Sequence, residues 1–302
     1  MIPKSSESHL NSVLITGGTD GLGRAATELL ASRGYRVFAG GRNADRRAAL
    51  DKFAREKKLP IETLELDVCS DASANSAVSE IERRAGPVDI LINNAGIAFG
   101  AVMEEITLDD LRKQFETNFF GVVRVTQRVL PEMRNRRRGR IINMSSVSGK
   151  VAMPVMGPYT ASKHALEGMS DSLRLELYPF GVHVVLIEPG YIHTNINTNA
   201  AELSSAYAKG AESSAYKGVY QRFRGAWDKI RNASRYMPED CARVILRAVE
   251  DTPPRTRYVV TRRAKRAIFF KRVLSDRAFD RTLQKQLDLD SLRESLGKGD
   301  AK

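Results

Sequence analysis

The chain has 302 residues, 42% of them hydrophobic, which is enough for a sizeable core, and nothing in the composition suggests disorder. No apolar run reaches the ~18 residues that span a bilayer, and the polar stretch 1–10, with Glu7 inside it, lacks the apolar core of a secretory signal. The formal charge of +12 is concentrated, with five arginines in 134–140 and eight lysines and arginines in 255–272, no acid in either, so the remainder is nearly neutral and nucleic acid is not expected as a partner.

The two cysteines, Cys69 and Cys241, are too few for a disulfide framework and fit buried thiols in a reducing compartment, which predicts a cytoplasmic protein. His9, His164, His183 and His193 show no ligand spacing with cysteines or acids, so no metal site is expected.

Short apolar runs alternate with helical patterns. Val13-Leu14-Ile15 precedes a helix over 24–32, Val37-Phe38-Ala39 a charged helix, and the run 61–66 another. Ile90-Leu91-Ile92 leads into a long helix over 108–133, Ile141-Ile142 into a helix over 159–178, and 182–187 gives a sixth strand. This alternation means parallel crossovers, hence an α/β fold: a doubly wound parallel sheet in a three-layer α/β/α arrangement. Strands buried on both faces explain the continuous Val/Ile/Leu runs.

Past Pro189 the pattern loosens. Residues 191–236 hold no convincing strand, and Tyr216, Tyr220, Phe223 and Trp227, spaced four, three and four apart, predict one face of a helical lid. A helix near 241–250 and a short strand at 258–260 then close a single catalytic domain over 1–262, with 263–302 as a basic, mostly helical extension.

The turn after the first strand reads Thr16-Gly17-Gly18-Thr19-Asp20-Gly21-Leu22-Gly23. Glycines at 17, 21 and 23 let the backbone turn sharply and bring the free N–H groups of the next helix up to a phosphate. Further on, Tyr159-Thr160-Ala161-Ser162-Lys163 sets a phenol and an ammonium one helical turn apart, thirteen residues after Ser146. Such a neighbour favours the phenolate and would lower the tyrosine pKa from its ordinary ~10.

With these stations in order over about 10–195, the chain resembles the short-chain dehydrogenase/reductase family, classical type, and more distantly its steroid and retinoid dehydrogenases. The resemblance implies a Rossmann-like fold binding a nicotinamide cofactor, with Asn118, Ser146, Tyr159 and Lys163 as the catalytic four. It implies that Gly17, Thr19, Asp20, Gly21, Leu22 and Gly23 hold the pyrophosphate, and that Asp67 and Val68 meet the adenine. Asn94, Ala95 and Gly96 would border the cofactor beside Tyr159 and Lys163, while Pro189, Gly190, Ile192 and Thr194 close over the nicotinamide. Tyr159 would act as acid/base in hydride transfer between an alcohol and a carbonyl, Ser146 would orient the substrate oxygen, and Asn118 would support a water-linked proton path to Lys163.

At the end of the second strand, Ala39-Gly40-Gly41-Arg42-Asn43 carries glycine where an acid would bind the ribose of NAD, and Arg42 suits a 2′-phosphate. NADP(H) is therefore favoured, with NAD(H) as the alternative. Asp20 is a counter-signal, because many NADP-preferring relatives are basic there. Phe99, Val151, Met153 and Met156, with Val155 and the aromatic lid residues, predict an apolar cleft for a bulky steroid-, retinoid- or lipid-like small molecule. The family resemblance implies a homodimer or homotetramer. Apolar residues interleaved with cations in 264–287 leave open a peripheral membrane contact by the tail. A non-catalytic cofactor-binding regulator, or a membrane- or RNA-associated protein on the same scaffold, is the alternative function; the intact four argue against the regulator.

Overall fold

The computed structural model describes residues 12–299; the polar opening stretch and His9 lie outside the described residues. Seven strands, β1 (Ser12–Thr16), β2 (Arg36–Gly41), β3 (Ile61–Glu65), β4 (Ile90–Asn93), β5 (Gly139–Met144), β6 (Val182–Glu188) and β7 (Arg257–Val259), pair in parallel in the order β3-β2-β1-β4-β5-β6-β7. Helices α1 (Gly21–Ser32), α2 (Ala44–Lys57), α3 (Asp71–Ala85), α4 (Leu108–Phe115), α5 (Gly121–Asn135) and α6 (Gly157–Leu177) fill the crossovers. After β6 come α7 (Asn195–Leu203), α8 (Ser205–Gly210), α9 (Lys217–Ala233) and α10 (Pro238–Glu250), then β7 and the terminal α11 (Arg262–Val273), α12 (Asp276–Gln286) and α13 (Leu289–Gly299).

Because successive strand residues point to opposite faces, each apolar run feeds two cores at once. Val13, Ile15, Ile92, Ile142, Val185 and Ile187 pack with α1, α2 and α10 on one face. Leu14, Leu91, Ile141 and Val184 pack with α3, α5 and α6 on the other. The strand order reverses between β1 and β4, which opens a crevice at the carboxyl ends of the central strands, where ligands bind in such sheets.

The long helix expected over 108–133 is two helices joined by a π-helical turn, Glu116–Phe120, and that wider turn carries Asn118. The lid is three helices, and Tyr216 is the N-cap residue of α9, one position ahead of the helix whose face it was expected to share.

Neither basic segment is simply solvated. Arg136 and Arg138 both pair with Asp89, at 2.7 and 2.9 Å, while Arg140 donates to the carbonyls of Ala248, Val249 and Asp251 at the C-terminal end of α10, where a cation complements the helix dipole. Arg257 reaches Asp171 at 2.7 Å and Glu167 at 3.1 Å. The extension after β7 docks on its own domain: Thr261 and Ala264 sit against Gly190, and Phe279 and Leu287 are buried. Among the described residues, no helix is long and apolar enough to cross a membrane.

Candidate active site

A cleft of about 950 Å³ runs along the carboxyl edge of the sheet. At one end the turn after β1 folds back so tightly that its glycines are obligatory. Gly17 and Gly21 take φ of +64° and +52°, and a Cβ on Gly17 would stand 3.1 Å from the Ala95 backbone. Gly23 lies beneath the wall, where a Cβ would fall 2.1 Å from the Gly17 carbonyl, so it serves the packing of α1 on the turn. Asn94 ties the same turn to β4, donating from Nδ2 to the carbonyls of Thr16 and Gly17 at 3.0 and 3.1 Å.

Asp20, the N-cap residue of α1, makes no side-chain cap; its carboxylate pairs with Arg46 at 2.7 Å. The first turn of α1 therefore faces the cleft with glycine and leucine and no acid, a positive dipole end shaped for a phosphate. Arg42 stands beside it, 3.9 Å from Asp67, which lines the cleft next to Val68. Across the cleft, Pro189, Gly190, Ile192 and Thr194 form the opposite wall. Thr194 Oγ1 is buried with no hydrogen-bond partner among the described residues, a polar atom left over for something in the cleft. The glycine cradle, the helix end and this orphaned hydroxyl fit a dinucleotide.

The reacting groups meet in the middle. Ser146 lies two residues past β5 and caps the short 3₁₀ turn Val147–Gly149, its Oγ accepting from Ser148 N at 3.1 Å. Tyr159 and Lys163 project from the first turns of α6 into the same space. Lys163 Nζ donates to the Met144 carbonyl at 2.7 Å and lies 5.7 Å from the centre of the Tyr159 ring. Burial pulls this ammonium down to about 8, with Glu167 one turn further on opposing the shift. Burial likewise pushes the Tyr159 phenol above its ordinary value, and a hydrogen bond with Ser146 only partly offsets it. The lowering expected from Lys163 belongs to the cofactor-bound site, where the positive nicotinamide of the oxidised cofactor adds to the ammonium.

Asn118 is fully buried behind the wall. Its Oδ1 accepts from Ile97 N at 2.9 Å, and its Nδ2 donates to the Ile97 carbonyl at 2.9 Å and to Ser162 Oγ at 3.2 Å. Ser162 in turn donates to the Tyr159 carbonyl at 2.8 Å, so in this geometry Asn118 fastens the loop after β4 to the catalytic turn of α6 and makes no direct bond to Lys163.

Of the expected substrate residues, Val151, Met153, Met156, Tyr220, Phe223 and Trp227 line the cleft. Phe223 stacks on Trp227 with ring centres 5.6 Å apart, and Trp227 meets Tyr191 edge-on at 5.5 Å. Two expectations fail. Phe99 turns into a core pocket with Ala101 and Ile106, and Tyr216 donates its hydroxyl to Glu104, away from the cleft. His193 rests on the Ser234 carbonyl at 3.0 Å. Sequence reasoning missed Arg46, although it stands one helical turn after Arg42, and it missed the contribution of the extension. Phe270, Leu274, Phe279, Leu283 and Leu287 wall the far end of the cleft.

The model of the family described as short chain dehydrogenase matches residues 11–204. The chain is 36% identical over 277 residues to YusZ, an uncharacterized oxidoreductase of Bacillus subtilis, an alignment covering 91% of this chain and 97% of that one. It is 39% identical over 194 residues to a 3-ketodihydrosphingosine reductase of Bacteroides thetaiotaomicron, covering 64% and 68%. Among solved structures, a variant of the actinorhodin polyketide ketoreductase with NADPH superposes with a TM-score of 0.71 at 29% identity, covering 83% of this chain and 94% of that one. The glycine turn, the Ser146–Tyr159–Lys163 grouping and these matches lead to one conclusion: the chain belongs to the short-chain dehydrogenase/reductase family of oxidoreductases.

Proposed function

We propose that the chain is an NADP(H)-dependent oxidoreductase that interconverts a ketone and an alcohol on a bulky, lipid-like substrate, acting in the cytoplasm as a homodimer or homotetramer. The observation that carries this reading is the convergence of Ser146, Tyr159 and Lys163 on one cleft whose other end is the glycine turn and the free end of α1. When bound, the nicotinamide supplies the hydride in reduction and takes it up in oxidation. Ser146, whose Oγ accepts from Ser148 N and bonds the Tyr159 phenol, would turn its hydroxyl proton to the substrate oxygen when one is bound. Tyr159 gives its proton to that oxygen as charge develops there, and the positive Lys163 beside it stabilises the phenolate left behind.

The preference for NADP(H) rests on three local facts. Gly41 stands where an acid would bind the ribose of NAD, and a Cβ there would crowd Thr19 Oγ1 at 2.5 Å. Arg42 and Arg46 both line the cleft at that point. Asp20, the counter-signal, is paired with Arg46 at 2.7 Å, which leaves Arg42 as the cation nearest to hand. Superposable structures were solved with NADPH and with NAD, so the local charges carry this choice. Replacing Arg42 and Arg46 together by alanine is expected to raise KM for NADPH about 10–100-fold, the effect of losing charge-assisted hydrogen bonds, and to leave KM for NADH nearly unchanged. An unaltered NADPH-to-NADH preference in that variant overturns the assignment.

The substrate class is supported by the apolar side chains at the far end of the cleft and by the relative named as a 3-ketodihydrosphingosine reductase. Steady-state assays with NADPH across ketones of increasing chain length are expected to show kcat/KM rising with length; a flat profile, or turnover of short polar ketones only, removes the lipid-like reading.

A further inference from the structure

The helix α11 presents two adjacent stripes. Arg263, Ala267, Phe270 and Leu274, at spacings of four, three and four, line the cleft. Arg262, Arg266, Phe269 and Val273, with the same spacing one position back, lie on the neighbouring outward face. On that outer face Phe269 is 59% and Val273 57% exposed, and Phe270 of the adjacent cleft-lining stripe is 49% exposed, an unusual run of bare apolar side chains beside open cations. The charge around them is of one sign. Residues 255–272 contain eight lysines and arginines and no acid. Among the described residues Arg262, Lys265, Arg266 and Arg272 have no acidic partner within ion-pair distance, whereas Lys271 is taken by Asp276 at 2.6 Å and Arg257 by the carboxylates behind β7. The opposite side of α11 is anchored, with Ala264 buried against Gly190, so the outward face has a fixed orientation.

We propose that this outer face of α11 docks on an anionic lipid surface, with Phe269 and Val273 entering the acyl boundary and Arg262, Lys265, Arg266 and Arg272 meeting the head groups, so that the cleft opens next to the bilayer. Apolar side chains flanked by unpaired cations are what such a surface binds, and neither component alone suffices for stable attachment. A second copy of the chain is the less suited occupant, since it would set these cations against their own kind. Continuity with the cleft gives docking its use: an apolar substrate can pass from the bilayer along Phe270 and Leu274 without crossing water. That last step rests on the lipid-like reading of the substrate; the docking itself does not.

The test is sedimentation of the full chain with vesicles of phosphatidylcholine alone and of phosphatidylcholine mixed with phosphatidylglycerol, at low and at physiological salt, with no substrate present. The wild type is expected to pellet with the anionic vesicles, less so as salt rises, and to stay in solution with the neutral ones. Phe269→Ser with Val273→Ser, and separately Arg262→Glu with Arg266→Glu, should each weaken that partition about tenfold or more, and both variants should still reduce a short soluble ketone at the wild-type rate. Wild-type protein that ignores anionic vesicles, or variants that bind them equally well, overturns the proposal. So does a wild-type oligomer that dissociates on Phe269→Ser with Val273→Ser, which would make the face a contact between copies. Because pelleting needs no turnover, a failure of docking is read separately from a failure of the hydride chemistry.

Discussion

At Tyr159 two influences pull against each other: burial favours the protonated phenol, and the Ser146 hydroxyl draws it back. A phenol that keeps its proton suits delivery to a substrate oxygen, so Tyr159→Phe is expected to lower kcat about 10²–10⁴-fold while leaving NADPH affinity, measured by fluorescence titration, within a factor of about two. Turnover close to wild type would remove Tyr159 from the chemistry. The reacting residues were legible in the sequence because their meaning lies in spacing: Lys163 must share a helix face with Tyr159, and Ser146 must follow just past a strand. Phe99 and Tyr216 were misread because an aromatic type signals burial without direction. The first found Ala101 and Ile106, the second Glu104, and neither partner is announced by periodicity. Arg46 went unread for a related reason, since its place at the cleft depends on Asp20, a distant residue that the turn brings within 2.7 Å.

On the scale of single elements, α6 does more than present Tyr159 and Lys163. The next residue on that face, Glu167, is buried and accepts from Lys150 at 2.8 Å and from Arg257 at 3.1 Å. Glu188, the last residue of β6, lies against the same group, and burial together with the Glu167 charge pushes its carboxyl up to about 7. Its folded pKa is therefore above its unfolded value, so the folded form holds a proton that the unfolded chain has released by about pH 5. Stability consequently falls as pH rises from about 5 through 7. Glu188→Gln should remove that dependence, with a thermal-denaturation advantage over wild type that is near zero at pH 5 and grows to about 1–3 kcal/mol above pH 7.5. An advantage independent of pH would show that Glu188 is ionised throughout. Element types were readable because strand runs and helical periods differ in kind, but element ends were not. The helix expected over 108–133 hides a π turn carrying Asn118, whose bond to the Ile97 backbone is a contact between segments 21 residues apart that periodicity does not announce.

Across the whole molecule, the terminal helices complete what the sheet begins. Phe279 inserts under α11, where Lys271 lies 5.2 Å over its ring, and Leu287 closes the far end of the cleft. The sequence showed a helical extension, but not that it folds back as a wall, because its apolar positions are sparse and its partners lie in the lid. Phe279→Ala, a loss of about 3–5 kcal/mol of packing, is expected to release the extension while the sheet persists. Hydrogen exchange should speed up over 262–299 and stay slow in β1, β4 and β5; equal loss of protection in the sheet would make the extension part of the central cooperative unit.

The aromatic stack in the lid has one more consequence. Trp227 is the protein's single tryptophan, and it lies on the cleft wall between Phe223 and Tyr191, the residue next to Gly190. All indole emission of the molecule therefore originates beside the site, with no background from elsewhere in the chain. Its quenching, or the transfer of its excitation to a reduced nicotinamide, makes the protein its own spectroscopic probe, able to follow ligands entering the cleft in real time without a label.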